Sequence, residues 1–165
     1  MKFIAHRGNS YGKQEKLENQ PGHVDFALNA GYDAEVDLWV VDNKLWLGHD
    51  EPTYEVDKDW LYKRSNKLWV HVKSLSTIDS LVTNHLFDGL DEMLNWFWHE
   101  NDKVTLTSTG SLWCFPEVFL ANSVVNQPSD ESVFWRLKLY KTANFIGVCH
   151  DNVDMVKRVI QEPAV

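Results

Sequence analysis

Residues 33–41 read Asp33-Ala34-Glu35-Val36-Asp37-Leu38-Trp39-Val40-Val41, a period of two that marks a strand. Ala34, Val36, Leu38 and Val40 fall on one face, and Glu35, Asp37, Trp39 and Val41 on the other. Asp42-Asn43 is a tight-turn signal, so Lys44–Gly48 is read as a second strand ending at His49-Asp50. Upstream, Lys2–His6 reads as a short buried strand closed by Arg7-Gly8-Asn9-Ser10, with residues 9–20 as a loop. Pro21 suits the first turn of a helix, with Val24, Ala27 and Leu28 as its apolar stripe and Gly31 as its stop. Downstream come a short helix over Asp57–Arg64, a strand over Leu68–Lys73, and a helix from Ser74–Ser76 to about Asn84 with a second piece through Met93. Further strands are expected at Asn95–Trp98, Val104–Thr107, Leu112–Phe115, Ser123–Val125 and Phe145–Cys149. Helices are expected over Glu131–Lys141 and from Asn152 to Ile160.

Recurring strand-then-helix units predict an α/β fold with a mainly parallel sheet. The 165 residues show no repeat or linker, and a single domain over 1–165 is expected. With 16 basic and 24 acidic residues the net charge is −8, which argues against nucleic acid as a partner, because phosphate backbones are gripped by Lys/Arg-rich faces. No apolar run reaches the 18 residues of a membrane span. Residues 1–5 begin as a strand rather than a secretory leader, and Cys114 and Cys149 make no disulfide framework, so a cytoplasmic location is expected. Eight tryptophans are many for this length; Trp39, Trp69, Trp98 and Trp113 are read either as cleft walls or as core.

In parallel sheets ligands gather at the carboxyl ends of strands. Here those ends carry His6-Arg7, Glu35 and Asp37, His49-Asp50, His71 and Lys73, and His99-Glu100. Glu35 and Asp37 leave one face of their strand and repel each other, which a hard divalent cation relieves; a solvated edge strand is the other reading. His6 and His49 titrate near neutral pH and can divide general-base and general-acid work, or serve as hydrogen-bonded structural residues. Arg7 and Lys73 offer fixed positive charge for phosphate or for salt bridges. Together these groups describe a phosphoryl-transfer site. His99-Glu100-Asn101-Asp102 is read as a site-lining loop or a merely polar one, and His23, His85 and His150 receive no role.

Ile4-Ala5-His6-Arg7-Gly8, Glu18-Asn19, Glu35-Val36-Asp37 and Gly48-His49-Asp50, in this order and spacing, resemble the glycerophosphodiester phosphodiesterase family over about the first 75 residues. Ile146-Gly147-Val148-Cys149-His150-Asp151 is similar to that family's last barrel strand. The resemblance implies a phospholipase-C-like TIM-type β/α barrel that hydrolyses a small phosphodiester with a bound Mg2+ or Ca2+. It implies an acid–base pair in His6 and His49, metal ligands in Glu35 and Asp37, and phosphate contact by Arg7. It also implies attack by a neighbouring substrate hydroxyl through a cyclic intermediate. The family's Glu-x-Lys on the next strand becomes His71-Val72-Lys73 here. His71 as a ligand favours Mn2+ or Zn2+; otherwise Glu18, Glu100 or Asp102 would complete the site. At 165 residues against about 250 for an eight-unit barrel, with only 22 positions between His49 and His71, a trimmed barrel with missing or shortened helices is expected. The alternative function is a degenerate phosphodiester- or phosphate-binding module on the same barrel. Related lysophospholipid and sphingomyelin enzymes share the layout but lean on secretion and disulfides.

Overall fold

The structure, a computed structural model, describes residues 1–83, 89–139 and 144–161. The strands are β1 (Lys2–Ala5), β2 (Asp33–Val41), β3 (Lys44–Leu47), β4 (Tyr54–Val56), β5 (Leu68–Val72), β6 (Asn95–Phe97), β7 (Val104–Leu106), β8 (Leu112–Cys114), β9 (Ser123–Asn126) and β10 (Gly147–His150). The helices are α1 (Pro21–Asn29), α2 (Lys58–Tyr62), α3 (Leu75–Thr83), α4 (Leu90–Met93), α5 (Asp130–Ser132), which runs on as wider π turns over Val133–Leu139, and α6 (Val153–Gln161). Pro21 opens α1 as its sequence suggests, and the Asp57 carboxylate caps α2 by accepting from Trp60 N–H. Asp42 and Asn43 both adopt positive φ, the conformation that a two-residue hairpin between β2 and β3 demands. The expected helix end at Asn84, the residue His85 and the end of the expected Glu131–Lys141 helix lie outside the described residues.

The ten strands form one sheet, eight of them along the path β4-β3-β2-β1-β10-β9-β8-β7, with β5 pairing β2 and β6. Pairings among β6, β5, β2, β1, β10, β9 and β8 are parallel. β2–β3, β3–β4 and β7–β8 are antiparallel. The trimmed TIM-type β/α barrel is therefore corrected: this is a mixed sheet curled into a half-barrel, rich in strands and poor in helix. The physical reason is connection length. Hairpins such as β2–β3 and β7–β8 return the chain antiparallel within a few residues, whereas each parallel crossover of a helix-flanked barrel needs a dozen or more. The helices that do form are too short to ring the sheet.

Both faces of the curled sheet are buried, and strand parity decides which side chains go where. Val36, Leu38, Leu47 and Val70 pack outward with Val24 of α1, Leu61 of α2 and Leu81 of α3. Val125 and Val148 pack with Val133 and with Val156 of α6. The concave side holds Ile4, Trp69, Phe97, Trp113, Val124 and Cys149. One or two positions further along these strands, at their carboxyl ends, the inward side chains turn polar.

Candidate active site

Register brings the polar ends together. Ile4 pairs with Cys149 and Ala5 with both His150 and Ala34, so His6 leaves β1 beside Glu35 of β2 and Asp151 after β10. Asp37 lies opposite His71, and His71 opposite Phe97. Among the described residues these ends surround a cleft of about 640 Å³, lined by His6, Arg7, Glu35, His49, His71 and Lys73 from the first half of the chain. Phe97, Trp98, His99, Trp113, Phe115, Asn126, Gln127 and Asp151 line it from the second.

Asp37 is the hub. Its Oδ2 accepts from Asn19 Nδ2 at 2.8 Å and lies 3.1 Å from Arg7 Nε; Oδ1 lies 3.1 Å from His71 Nδ1 and 3.4 Å from Lys73 Nζ. Asn19 also accepts the Asp37 backbone N–H at 2.9 Å, fixing the side chain from both sides. Burial works to raise this carboxyl's pKa, but the His71 hydrogen bond and the Lys73 and Arg7 charges hold it far below the ordinary range. Glu35 fares differently. It is 3% exposed, and Oε2 accepts the Arg7 backbone N–H at 3.1 Å with His6 Nε2 4.0 Å away, while no hydrogen bond reaches Oε1 among the described residues. Burial and the neighbouring Asp37 charge raise its pKa.

The turn after β1 aims Arg7. Arg7 itself has φ 51°, and at Gly8 (φ 85°) a Cβ would sit 3.1 Å from His23 and from the Val24 backbone. Arg7 Nη1 donates to Glu18 at 2.9 Å, and Asn9 Nδ2 donates to the same carboxylate at 3.1 Å. Glu18 is thus the arginine's anchor and stands apart from the Glu35–Asp37–His71 group.

His6 has its Nδ1 2.8 Å from Asp151 Oδ1 and 2.7 Å from the Gln127 amide nitrogen. Asp151 also accepts from Asn9 Nδ2 at 2.9 Å. Despite burial, these hydrogen bonds and the His6 charge lower Asp151 to about 2. Burial likewise works against the charged form of His6, yet the Asp151 hydrogen bond and the Glu35 charge prevail and raise its pKa. His49 is shifted the other way. Burial with the Arg7 and Lys73 charges lowers it, against Asp37 and against Asp50, whose Oδ1 lies 2.7 Å from its Nδ1. Gly48 makes that turn possible: a Cβ there would lie 2.0 Å from the Glu51 carbonyl oxygen. Two imidazoles on one cleft with pKa values pushed apart fit an acid–base pair.

Glu35, Asp37 and His71 each offer one ligand atom, and these lie within 4.8 Å of one another. Two carboxylates, one carrying an oxygen without a hydrogen bond, together with an imidazole, fit a divalent cation; the nitrogen suits Mn2+ or Zn2+ better than Ca2+. His71 is also stacked on Phe97 and His99, with ring centroids 5.2 and 4.7 Å away. His99 lines the cleft, lowered to about 4 by burial and by the His71 and Lys73 charges. Glu100 lines the cleft as well, whereas Asp102 does not.

All seven sequence-derived site residues converge here: His6, Arg7, Glu35, His49, His71 and Lys73 line the cleft, and Asp37 lies directly behind it. Of the tryptophans, Trp98 and Trp113 line the cleft, Trp69 is buried against Trp113, and Trp39 donates its indole N–H to the Gly48 carbonyl at 2.6 Å. Sequence reading gave no role to Asp151, Asn9, Asn126 or Gln127. Asp151 directly follows the last strand, which pairs with β1. Both cysteines are free and buried. Among the described residues no helix is long and apolar enough to cross a membrane. No protein-family model, curated protein or solved structure matched the chain.

Proposed function

We propose that the chain is a divalent-cation-dependent phosphoric diester hydrolase acting on a glycerophosphodiester or similar small diester, a member of the family its N-terminal motifs resemble. The observation that carries this is the convergence of His6, His49, Arg7 and Lys73 on one cleft with Glu35, Asp37 and His71 grouped beside them. His49, neutral at physiological pH, takes the proton of the attacking hydroxyl, whether the substrate's own or that of water. His6, held by Asp151 through Nδ1, gives a proton from Nε2 to the departing alcohol oxygen. Arg7 and Lys73 add positive charge where the phosphoryl oxygens gain negative charge. Glu35, Asp37 and His71 would hold the cation, which supplies Lewis-acid stabilisation of the phosphoryl oxygens.

Hydrolysis of glycerophosphocholine, glycerophosphoethanolamine and an activated aryl diester, assayed with Mg2+, Ca2+, Mn2+ and Zn2+, tests this. Turnover with at least one cation that stops in chelator is expected; no turnover under any condition overturns it. The second reading, a binding module without turnover, is favoured by Asp37, whose oxygens are already engaged by Arg7, Asn19, His71 and Lys73. It predicts diester binding with no product.

A further inference from the structure

Asn9 is fully buried, and its side-chain amide is saturated. Nδ2 donates to Glu18 Oε1 at 3.1 Å and to Asp151 Oδ1 at 2.9 Å. Oδ1 accepts the Gln14 backbone N–H at 3.1 Å and lies 3.2 Å from His23 Nε2. These partners also fix which way the amide points, because turned over its oxygen would face two carboxylates. The surrounding chain is pinned as well. The Asn9 backbone N–H donates to the His6 carbonyl at 2.9 Å, and the Gly12 N–H donates to the Asp151 carbonyl at 3.0 Å.

The two carboxylates that meet at this amide each hold a different side chain of the cleft. Glu18 accepts from Arg7 Nη1 at 2.9 Å, and Asp151 lies 2.8 Å from His6 Nδ1. Glu18 belongs to the loop before α1 and Asp151 follows β10, so no strand register relates them. A neutral donor suits the place between them. A Lys or Arg there would compete with Arg7 and His6 for the carboxylate charge, and an apolar side chain would leave both carboxylates to turn to other donors.

We propose that Asn9 is a positioning residue that braces the Glu18–Arg7 arm against the Asp151–His6 arm. It does not line the cleft. Through Glu18 it sets where the guanidinium stands, and through Asp151 where the imidazole stands, so that anion binding and proton transfer keep one spacing. What the two arms do rests on the hydrolase reading, whereas the brace rests on the geometry alone.

Asn9→Ser keeps a polar side chain and removes the pair of amide donors. It should lower kcat for glycerophosphocholine about 10- to 100-fold, the scale of a misplaced reacting group. Dimethyl phosphate binding, measured by calorimetry in Mg2+, should weaken about three- to tenfold, the scale of one net hydrogen bond. Double-mutant cycles separate a brace from general support of the fold. In an Asp151→Asn background the kcat loss should vanish while the affinity loss persists. In a Glu18→Gln background the affinity loss should vanish while the kcat loss persists. Losses that add in both backgrounds and both readouts overturn the brace and leave the hydrolase. Should Asn9→Ser not fold, His23→Ala frees one side of the amide oxygen and should give the same selective pattern at smaller size; additive losses there overturn the brace equally. An unmutated chain that binds dimethyl phosphate without turnover removes the hydrolase, and the affinity cycle with Glu18→Gln then decides the brace alone. A chain that neither turns over diester nor binds dimethyl phosphate overturns both.

Discussion

The wall of the cleft built by β1, β2 and β5 and the wall built by β6, β8 and β9 hold their polar groups in different ways. In the first, nearly every charged atom is met: Asp37 by Arg7, Asn19, His71 and Lys73, Arg7 also by Glu18, and His6 by Asp151 reaching across from β10. In the second, neutral rings dominate, and one buried polar atom each of His99, Trp113 and Asn126 has no hydrogen-bond partner among the described residues. A preorganised charged wall is what developing charge in a transition state needs, because it does not reorganise during reaction. The difference separates a charged part of the cleft from an aromatic one.

The largest effect that would break this contrast is on turnover. His6→Ala and His49→Ala should each lower kcat about 10²–10⁴-fold, with far-ultraviolet circular dichroism unchanged. Retained turnover in either variant would remove that imidazole from the proton-transfer pair. Next is Asp37→Asn, which leaves Arg7, Lys73 and His71 around a neutral group. Urea unfolding should show a loss of about 3 kcal/mol, the lower end for breaking a buried ion pair. Cation affinity should fall with it, and full activity of this variant in chelator would dismiss the cation's role.

The pH dependence sharpens the comparison further. If His49 is the base it must be neutral to accept a proton, so the rate should rise with pH through its lowered pKa. If His6 is the acid it must be protonated to donate, so the rate should fall as pH rises through its raised pKa. The groups acting on His6 are Asp151 and Glu35, which raise it, and Arg7, which lowers it. Asp151→Asn should therefore move the alkaline limb to lower pH and leave the acid limb in place; an unmoved alkaline limb would contradict His6 as the acid. Asp151 also has a stability signature. Its folded pKa of about 2 lies below the ordinary unfolded value of about 3.9, so its contribution is present above that value and lost as pH falls toward 2.

The smallest effect concerns Glu35. Its raised folded pKa means that ionising it at neutral pH costs stability, a cost that appears as pH rises from the unfolded value through the folded one. Glu35→Gln should raise the Tm of the cation-free protein by about 2–4 °C, as expected for about 1 kcal/mol at this chain length. A lower Tm would show that Glu35 is held by more than the Arg7 N–H and the His6 charge.

The charged wall was legible because its residues are local and periodic. Glu35 and Asp37 two apart on a strand, and His49 after the glycine that its turn requires, declare themselves within a few positions. The rest was legible only in part: Trp98, His99 and Trp113 could be read as cleft-lining, but the groups that arrive from distant strands could not. Asp151 meets His6 from 145 residues away, and no spacing rule links them. Asn126 ends a four-residue strand and Gln127 follows it, with no charged neighbour to mark them. The sheet's mainly parallel core followed from the alternation of strand and helix patterns, but β4 passed unnoticed, because three residues with Glu55 in the middle carry no periodicity. The barrel failed for a related reason. Short antiparallel hairpins at β3–β4 and β7–β8 take up chain that a helix-flanked barrel would spend on crossovers, and segments of a few residues leave strand and helix ambiguous.

Separate strand ends bring ligand atoms of Glu35, Asp37 and His71 within 4.8 Å of one another, and the proposed function requires one cation among them beside His6 and His49. Anomalous diffraction from a crystal soaked in Mn2+ tests it directly. A single peak is expected among these three side chains, each within about 2.0–2.3 Å of the ion, facing His6 and His49 across the cleft. A peak elsewhere, or none at a cation concentration that supports turnover, would contradict it.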